Sequence, residues 1–285
     1  MNGLSSVEFD HCRELALRPG SIFEFTYQYL SPGSLEQYLA FYALKQNICT
    51  IPFGHVDDAV KWEKLKWWSE ELLADPDSQS RHPVVRALKT SGARAKLENN
   101  QLLRLISGAL MQIDAAPDSD TNTMFERFSE LGAAEIELEL LLEDASIDKS
   151  SLSSLAAAST LAELIFSFAP GQRSQIERLP LELLAKYSVN SSDLESGQHP
   201  EEFAQIVALL ASLNLDWYRE GLSGLVLSGD GSIDEAPAAH LRLRWALEQR
   251  QLMSISKGGE KYLDAGQQFG PADAWFAWRF LRKLK

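Results

Sequence analysis

The sequence predicts an all-α protein whose single domain covers residues 1–285. Apolar residues recur at spacings of three and four along most of the chain, which is the period of an amphipathic helix. Turn-forming Pro and Gly residues fall between these stretches, and strand signals are weak. A chain of this length can hold two domains, but its candidate linkers, 114–123 and 188–200, are short and lie between helical patterns. We interpret both as loops between helices of one domain.

The predicted helices are distributed along most of the chain. The first shows the pattern well, because Leu35, Leu39 and Tyr42 share one stripe of the helix surface. The short apolar run 225–227 precedes a Gly-rich turn, so it is interpreted as the end of a helix and a turn, not as a strand. In chain order, the nine predicted helices cover 35–49, 60–73, 99–113, 125–142, 152–168, 180–187, 200–221, 236–251 and 272–284.

The composition indicates a soluble intracellular protein. Hydrophobic residues make up 45% of the chain and charged residues 24%, as in an ordinary globular protein. The N-terminal segment lacks the apolar core of a secretory signal, and no stretch of about 18 apolar residues could span a membrane. The two cysteines, Cys12 and Cys49, are too few for a disulfide framework, which favours a reducing compartment. We therefore predict a cytoplasmic location.

The charge of the chain limits its partners. With 27 basic and 40 acidic residues the formal net charge is −13, so nucleic-acid binding is not expected. The C-terminal helix differs from the rest because it combines aromatic and basic residues, which suits a protein or lipid partner, including peripheral contact with a membrane surface. The residues alone favour the alternative, in which the aromatic rings pack on the core and the cations lie at the C-terminal end of the helix dipole. The candidate partner surface consists of Trp275, Trp278, Arg279 and Arg282.

The sequence contains no complete catalytic motif. A P-loop, a Rossmann fingerprint, a nucleophile elbow and a His-Glu-x-x-His helix are all absent, and the five histidines are scattered, with His82-Pro83 marking a helix start. Three Asp pairs have the i, i+4 spacing with which a helix could hold Mg²⁺, but they suit loops or helix caps at the surface. The pairs are Asp114/Asp118, Asp144/Asp148 and Asp230/Asp234. We predict no catalytic residue and no metal site.

A series of weaker patterns runs through nearly the whole chain. It begins with Gly20-Ser21-Ile22-Phe23 and Tyr29-Leu30-Ser31-Pro32 and continues with Ala40-Phe41-Tyr42-Ala43-Leu44. Further pieces are 64–72, His82-Pro83-Val84, 125–142, Leu179-Pro180-Leu181-Glu182-Leu183-Leu184 and Ala277-Trp278-Arg279. Each piece is weak alone, but their order and spacing together resemble the squalene/phytoene synthase family. The resemblance implies an isoprenoid-synthase-like helical bundle around a central cavity.

The resemblance also implies where catalytic residues should lie. Active members of that family carry two Asp-rich motifs on facing helices, which bind Mg²⁺ and the diphosphates of two prenyl substrates. The corresponding positions here are Cys49, Thr50, Ile51, Pro52 and Phe53 for the first motif, and Ser167, Phe168, Ala169, Pro170 and Gly171 for the second. None is a carboxylate. A shifted alignment would bring Asp57 and Asp58 toward the first motif, but Pro52 and Gly54 place them in the following loop.

The resemblance therefore argues against the activity of the family. Without carboxylates, nothing would neutralise a diphosphate or hold the metal ions that assist its departure. A branch with the same losses, the mitochondrial complex I assembly factor, is similar to the chain in its Ala-Phe helix, its Leu-Pro segment and its Trp-Arg near the end. We predict a non-catalytic assembly or binding factor without a cofactor. Two alternatives stay open: a prenyltransferase that condenses isoprenyl diphosphates with Mg²⁺, and an unrelated helical interaction protein.

The loss of the motifs also leads to a prediction about the cavity. We expect the helices that carry 40–49 and 161–168 to face each other across it. Because an empty void costs stability in proportion to its volume, bulky apolar groups should fill part of the end where diphosphates would bind. The bulky groups nearest the motif positions are Ile48, Ile51, Phe53, Leu164, Phe166 and Phe168.

Overall fold

The computed structural model describes residues 6–18, 21–74, 80–169, 175–225, 227–229, 238–266 and 269–284. The α-helices in these ranges are α1 (Ser6–Ala16), α2 (Ile22–Thr26), α3 (Pro32–Cys49), α4 (Asp58–Leu73), α5 (Pro83–Thr90), α6 (Ala93–Lys96), α7 (Asn99–Met111), α8 (Thr121–Leu142), α9 (Lys149–Phe166), α10 (Leu181–Lys186), α11 (Ser191–Glu195), α12 (Pro200–Ser223), α13 (Ala239–Ile255), α14 (Gly259–Ala265) and α15 (Pro271–Leu284). Short 3₁₀ helices cover Tyr27–Tyr29, Ile51–Phe53 and Ile176–Arg178. The strands β1 (Ala145–Ile147) and β2 (Leu227–Gly229) form a two-stranded sheet. The predicted all-α class is confirmed.

All nine predicted helices are present, and several begin earlier than their apolar pattern because polar residues cap them. Ser31 precedes α3, Asp120 precedes α8 and Asp148 precedes α9. The side chain of each accepts a backbone N–H of the first helical turn at 2.9 to 3.2 Å. These N–H groups have no partner inside the helix, so the caps extend each helix past its first apolar residue.

The predicted helix start at His82-Pro83 is confirmed. The Nδ1 atom of His82 accepts the backbone N–H of Val84 at 3.3 Å, which caps α5. The imidazole also packs edge-on against the ring of Trp68, with 4.6 Å between ring centroids. Burial, followed by the nearby charge of His11, lowers the pKa of His82. The cap therefore depends on a neutral imidazole, because only an unprotonated Nδ1 can accept this bond.

Two interpretations of the sequence are wrong. Residue Leu227, assigned to a helix end and turn, begins β2. A strand of three residues is too short to show the alternation of apolar and polar side chains that identifies a strand in sequence. Its partner β1 also lies far away in sequence. Asp118, expected at the surface, is buried, and the guanidinium of Arg127 donates to its carboxylate at 2.5 and 3.1 Å. Burial is tolerated because this charge is paired.

The remaining Asp pairs fit the surface interpretation where they are described. Asp114 and Asp144 are exposed, and Asp148 caps α9. Asp230 and Asp234 lie outside the described residues.

The chain divides into two compact units, each assembled from distant parts of the sequence. Unit 1 comprises the described parts of Met1–Ala115, Ala134–Ser146 and Ser228–Leu241, and unit 2 those of Ala116–Ala133, Ile147–Leu227 and Arg242–Lys285. The helices α8 and α13 contribute to both units. Neither unit is a contiguous segment that one linker could separate. One domain over residues 1–285 stays a prediction.

The core of unit 1 forms around α3. Apolar side chains of α1, α5, α7 and the second half of α8 are buried with those of α3 in one cluster. The largest fully buried side chains of α3 are Tyr38, Phe41, Leu39, Leu44 and Ile48. Because residues at many angles around α3 are buried, the helix is held firmly in unit 1 and sets the position of the chain that follows it.

Unit 2 is built on close packing of α9 with α12 and with the first half of α8. The small residues Ala156, Ala157 and Ala158 of α9 are all fully buried, which lets neighbouring helices approach. Gly132 of α8 lies so close that a Cβ atom there would stand 2.5 Å from the carbonyl oxygen of Ala156. The position of α9 is therefore fixed by backbone contact as well as by side-chain packing.

Candidate functional site

The positions of the first motif lie at the end of α3 and in the 3₁₀ helix after it. Pro52 is buried, Cys49, Ile51 and Phe53 are partly buried, and Thr50 is exposed. The hydroxyl of Thr50 donates to the carbonyl oxygen of Gln46 at 2.7 Å. The only side-chain oxygen at these five positions thus bonds to its own helix.

The acids that follow the first motif lie at the start of another helix. Asp57 directly precedes α4 and Asp58 is its first residue, and both are exposed. The carboxylate of Asp58 pairs with Lys61 at 2.8 Å, one turn along the same helix. Both acids follow the motif positions, as the sequence predicts, but only Asp57 lies in the loop, because α4 already begins at Asp58.

The positions of the second motif follow the last turn of α9. The hydroxyl of Ser167 donates to the carbonyl oxygen of Leu164 at 2.7 Å. Phe168 is fully buried and meets the ring of Phe203 edge-on, with 5.4 Å between centroids, and Ala169 is buried. Pro170 and Gly171 lie outside the described residues. Phe168 and Ala169 are therefore apolar and belong to the core of unit 2, and the hydroxyl of Ser167 bonds to its own helix.

A tyrosine hydroxyl donates hydrogen bonds to the carbonyl groups at the end of α9. The hydroxyl of Tyr262, on α14, lies within 3.2 Å of the carbonyl oxygen of Ile165 and 3.0 Å of that of Phe166, to which it donates. Burial raises the pKa of Tyr262, so it stays a donor. Carbonyl groups in the last turn of a helix lack partners within it. The carbonyl groups at the end of α9 thus receive a hydrogen-bond donor from another helix of the same chain.

The bulky residues near the two motifs pack within their own units. Ile48, Leu164 and Phe168 are buried, and Ile51, Phe53 and Phe166 are partly buried. Helices α3 and α9 belong to different units. That they face each other across a partly filled cavity stays a prediction.

Sequence analysis missed a polar contact that dominates one face of α3. Three donors on α3, each about one turn from the next, meet three glutamates on α8. The pairs are Tyr38 with Glu143, Tyr42 with Glu139, and Lys45 with Glu135. We call this set the α3–α8 ladder. A signal was present, because the glutamates recur at i, i+4 and i+8 and the donors at i, i+4 and i+7, so each set lies on one helix face.

Aromatic rings cover the α3–α8 ladder and exclude water from part of it. The ring of Phe23 stacks on that of Tyr42, with 4.0 Å between centroids and 2° between planes. The imidazole of His240 meets the ring of Tyr38 at 4.5 Å. Burial, together with the charge of Glu143, raises the pKa of Tyr38 well above its ordinary value. Tyr38 is therefore a neutral donor at physiological pH.

The described residues at the motif positions do not offer the ligands of a Mg²⁺ ion. Mg²⁺ needs oxygen ligands, usually carboxylates, in near-octahedral geometry. None of the ten motif positions is a carboxylate, and each glutamate of the α3–α8 ladder already accepts a bond from α3. Among the residues that the structure describes, no group of three or more His, Cys, Asp and Glu side chains could hold a metal.

Unit 2 contains a second buried polar cluster that sequence analysis did not identify. The hydroxyl of Tyr218 donates to the carboxylate of Glu248, which also lies 3.5 Å from the guanidinium of Arg244. One turn before Tyr218, the side-chain amide of Asn214 donates to the carbonyl oxygen of Ala158 at 2.9 Å. These groups tie α12 to α9 and α13. Since they bond chiefly to one another, we assign them a structural role.

The helix α15 has one buried and one exposed face. Trp275 is 58% exposed and Trp278 is 51% exposed. The guanidinium of Arg279 lies 5.2 Å from the ring centroid of Trp275, and that of Arg282 lies 4.8 Å from the ring centroid of Trp278. We call these four residues the α15 stripe. The alternative that these tryptophans pack on the core is wrong.

The overall class follows from comparison with solved structures. The fold is similar to that of a dehydrosqualene synthase solved with a ligand (TM-score 0.66, 14% identity, 97% of this chain and 95% of the other). It is also similar to the squalene synthase HpnC from Alicyclobacillus acidocaldarius (TM-score 0.63, 16% identity, 90% and 95%). At these identities the similarity establishes the fold alone. The protein is an all-α protein with an isoprenoid-synthase-like fold.

The family follows from the sequence itself. The profile of the squalene/phytoene synthase family matches residues 18–250, more than four fifths of the chain. The chain therefore belongs to the squalene/phytoene synthase family, as its pattern of segments predicts. No curated protein sequence matches it significantly. Within the described residues, no helix is both long enough and apolar enough to cross a membrane.

Proposed function

We propose that this member of the squalene/phytoene synthase family does not condense isoprenyl diphosphates and serves as an assembly or binding factor. One observation carries the proposal: the positions of both Asp-rich motifs lack carboxylates. The described positions hold a thiol, two hydroxyls bonded to their own helices and apolar groups packed into the cores.

The physical reason is the cost of an unpaired charge. The departing diphosphate carries negative charge, which metal ions normally compensate. Without carboxylates to hold those ions, the charge at the motif positions would stay uncompensated. An isolated ion in a protein interior costs several kcal/mol even after the surroundings relax, about as much as many proteins have in total stability. The side chains at the motif positions, such as Ile51 and Pro52 in unit 1 and Phe168 in unit 2, carry no charge to offset this cost.

The α3–α8 ladder supports the same conclusion. Its glutamates are the acids bonded directly to α3, so they are the natural substitutes for lost aspartates. Each of them already accepts a hydrogen bond from Tyr38, Tyr42 or Lys45. Lys45 and Glu135 also form a largely buried ion pair, and removing one partner from a buried charged pair typically costs about 3–5 kcal/mol. The ladder is therefore better explained as a contact that holds α3 to α8.

The nature of the partner is the second part of the proposal. The resemblance to the mitochondrial complex I assembly factor branch supports an assembly role. The cytoplasmic location that we propose, with peripheral contact with a membrane surface, comes from the composition instead. The α15 stripe is the surface that we propose for the partner, which is a protein or a lipid. The net charge of −13 disfavours nucleic acid. No cofactor is part of this proposal.

A turnover assay tests the loss of catalysis. The purified chain is incubated with farnesyl diphosphate and Mg²⁺, and released diphosphate and prenyl products are measured against a buffer control. A dehydrosqualene synthase run in parallel shows that the assay detects the reaction. We expect no diphosphate release above the buffer control.

Two variants test whether acids displaced from the first motif position support catalysis. Asp57→Ala and Asp58→Ala remove the carboxylates that follow the first motif position, and both residues are exposed, so folding should be preserved. Turnover that disappears in either variant would contradict the proposal and favour the alternative, a working prenyltransferase that uses Mg²⁺. Turnover in the wild type that both variants retain would also contradict it and would point to other acids.

A further inference from the structure

The buried face of α15 anchors the helix to unit 2. Ala277 is fully buried, and the carboxylate of Asp273 pairs with Arg250 at 2.7 Å. The same guanidinium lies 5.3 Å from the ring centroid of Phe276. These contacts fix the rotation of α15 about its axis. The α15 stripe is therefore held outward by tertiary structure, and substitutions within it need not disturb the core.

The exposed face of α15 is cationic. Arg279, Arg282 and Lys283 are exposed, and Asp273, the only acid of this helix, is paired on the opposite face. Elsewhere the chain is rich in acids, as its net charge of −13 requires. Two exposed indole rings and three exposed cations thus share one face of α15, on which no acid lies.

We propose that the α15 stripe docks on an anionic phospholipid surface. This inference names a partner for the surface in the proposed function, and it does not require that the chain be inactive. Indole rings favour the boundary between lipid chains and headgroups. Guanidinium groups bind phosphate oxygens with paired donors. A helix with one aromatic and cationic face lies in the plane of such a surface.

The size of the α15 stripe favours a lipid surface over a protein. A whole aromatic side chain buries up to about 250 Å². With about half of each indole exposed, the two rings of Trp275 and Trp278 offer roughly 250 Å² together. A stable protein interface needs about 800 Å² on each partner.

The charge of the whole chain sets the expected strength of docking. Charges separated by more than about 8 Å are largely screened at physiological ionic strength. The acids far from the α15 stripe therefore oppose docking weakly, while each cation near an anionic surface raises the affinity about fivefold. We expect binding that is reversible and strongly dependent on salt.

Flotation with lipid vesicles tests the proposal on the full chain. One set of vesicles contains phosphatidylcholine with 30% phosphatidylglycerol (roughly a physiological anionic fraction), and the other contains phosphatidylcholine alone. We expect binding to the anionic set to exceed binding to the neutral set at least tenfold, and to weaken in about 1 M salt. Arg279→Gln/Arg282→Gln and Trp275→Ala/Trp278→Ala should each reduce it at least tenfold.

Matched controls come from other exposed residues. Trp62→Ala removes an indole on α4 that is 45% exposed, and Arg219→Gln removes a guanidinium on α12 that is 75% exposed. Both should bind like the wild type, and circular dichroism should show unchanged helical content in every variant. No anionic preference, or equal loss in the controls, would overturn the proposal. Equal binding to soluble poly-glutamate, independent of Trp275 and Trp278, would overturn it in favour of an acidic protein partner.

The experiments distinguish failure of the lipid-docking proposal from failure of the non-catalytic proposal. Vesicle binding can be lost while turnover stays absent, which removes the lipid partner and leaves the non-catalytic proposal standing. Turnover can be found while vesicles still bind, which removes the non-catalytic proposal and leaves the lipid surface.

Discussion

The hydroxyls of Thr50 and Ser167 each donate to a carbonyl oxygen one turn back in their own helix. The apolar side chains beside them, such as Ile48 and Phe168, are fully buried. At the scale of single residues, the groups that occupy the motif positions thus contribute to folding. The polar groups of the α3–α8 ladder also contribute to folding, because each glutamate is bonded to a donor on α3.

The ladder leads to a prediction about stability. Tyr38→Phe removes the donor to Glu143 and keeps the buried ring, so the carboxylate loses a partner. We expect the free energy of unfolding, measured by urea denaturation, to fall by about 1–3 kcal/mol. Tyr187→Phe, which removes a hydroxyl from a partly exposed ring, should change it by less than about 0.5 kcal/mol. Additive effects of Tyr38→Phe and Glu143→Gln would contradict direct coupling.

The cap at His82 leads to a prediction about pH. Its pKa is lowered in the folded protein, so folding favours the neutral imidazole. The stability that it contributes is complete above the unfolded pKa of about 6.5 and is lost as the pH falls below that value. His82→Asn keeps a capping acceptor without a titrating group and should flatten the dependence of melting temperature on pH between about 5 and 7.

A matched variant separates the cap from the titration. His82→Ala removes both, so it should lower stability by about 1 kcal/mol at neutral pH and also flatten the dependence. If His82→Asn retains the slope of the wild type, another group is responsible for it.

At the scale of helices, local sequence explains where elements lie but not how they meet. The period of apolar residues places α3, α4 and α12 within about three residues of their observed bounds. Caps such as Ser31 and Asp148 account for the remaining difference at the helix starts. The partners of α3 in the α3–α8 ladder lie about 100 residues away, so no local pattern identifies them. Short elements, such as β2 and α14, leave too few residues for a periodic signal.

Helix packing in unit 2 gives a prediction at this scale. In Gly132→Ala, the new Cβ would stand 2.5 Å from the carbonyl oxygen of Ala156, so α8 and α9 must separate. We expect a loss of about 1–3 kcal/mol in the free energy of unfolding, which outweighs the gain in helix propensity of about 1 kcal/mol. Gly33→Ala is the control, because no atom lies within 4 Å of its added Cβ. It should be neutral or stabilising, and equal losses in both variants would contradict the close contact.

At the scale of the whole molecule, the fold and the motifs carry different information. A fold similar to dehydrosqualene synthase persists at 14% identity, because buried apolar patterns tolerate many side chains of suitable size. Diphosphate chemistry tolerates far less, because it requires carboxylates at particular positions. Membership of the squalene/phytoene synthase family and the non-catalytic proposal are therefore compatible.

The sequence by itself determined the all-α class, the order of the main helices and the family, and it led to the prediction that both motif positions lack acids. These depend on local periodicity and on residue identity, which a single chain displays directly. Only the tertiary structure decided that Glu135, Glu139 and Glu143 bond to α3, that Asp118 is buried against Arg127, and that α15 turns its tryptophans outward. The ladder and the orientation of α15 depend on contacts between residues distant in sequence, and the burial of Asp118 depends on how the chain around it packs.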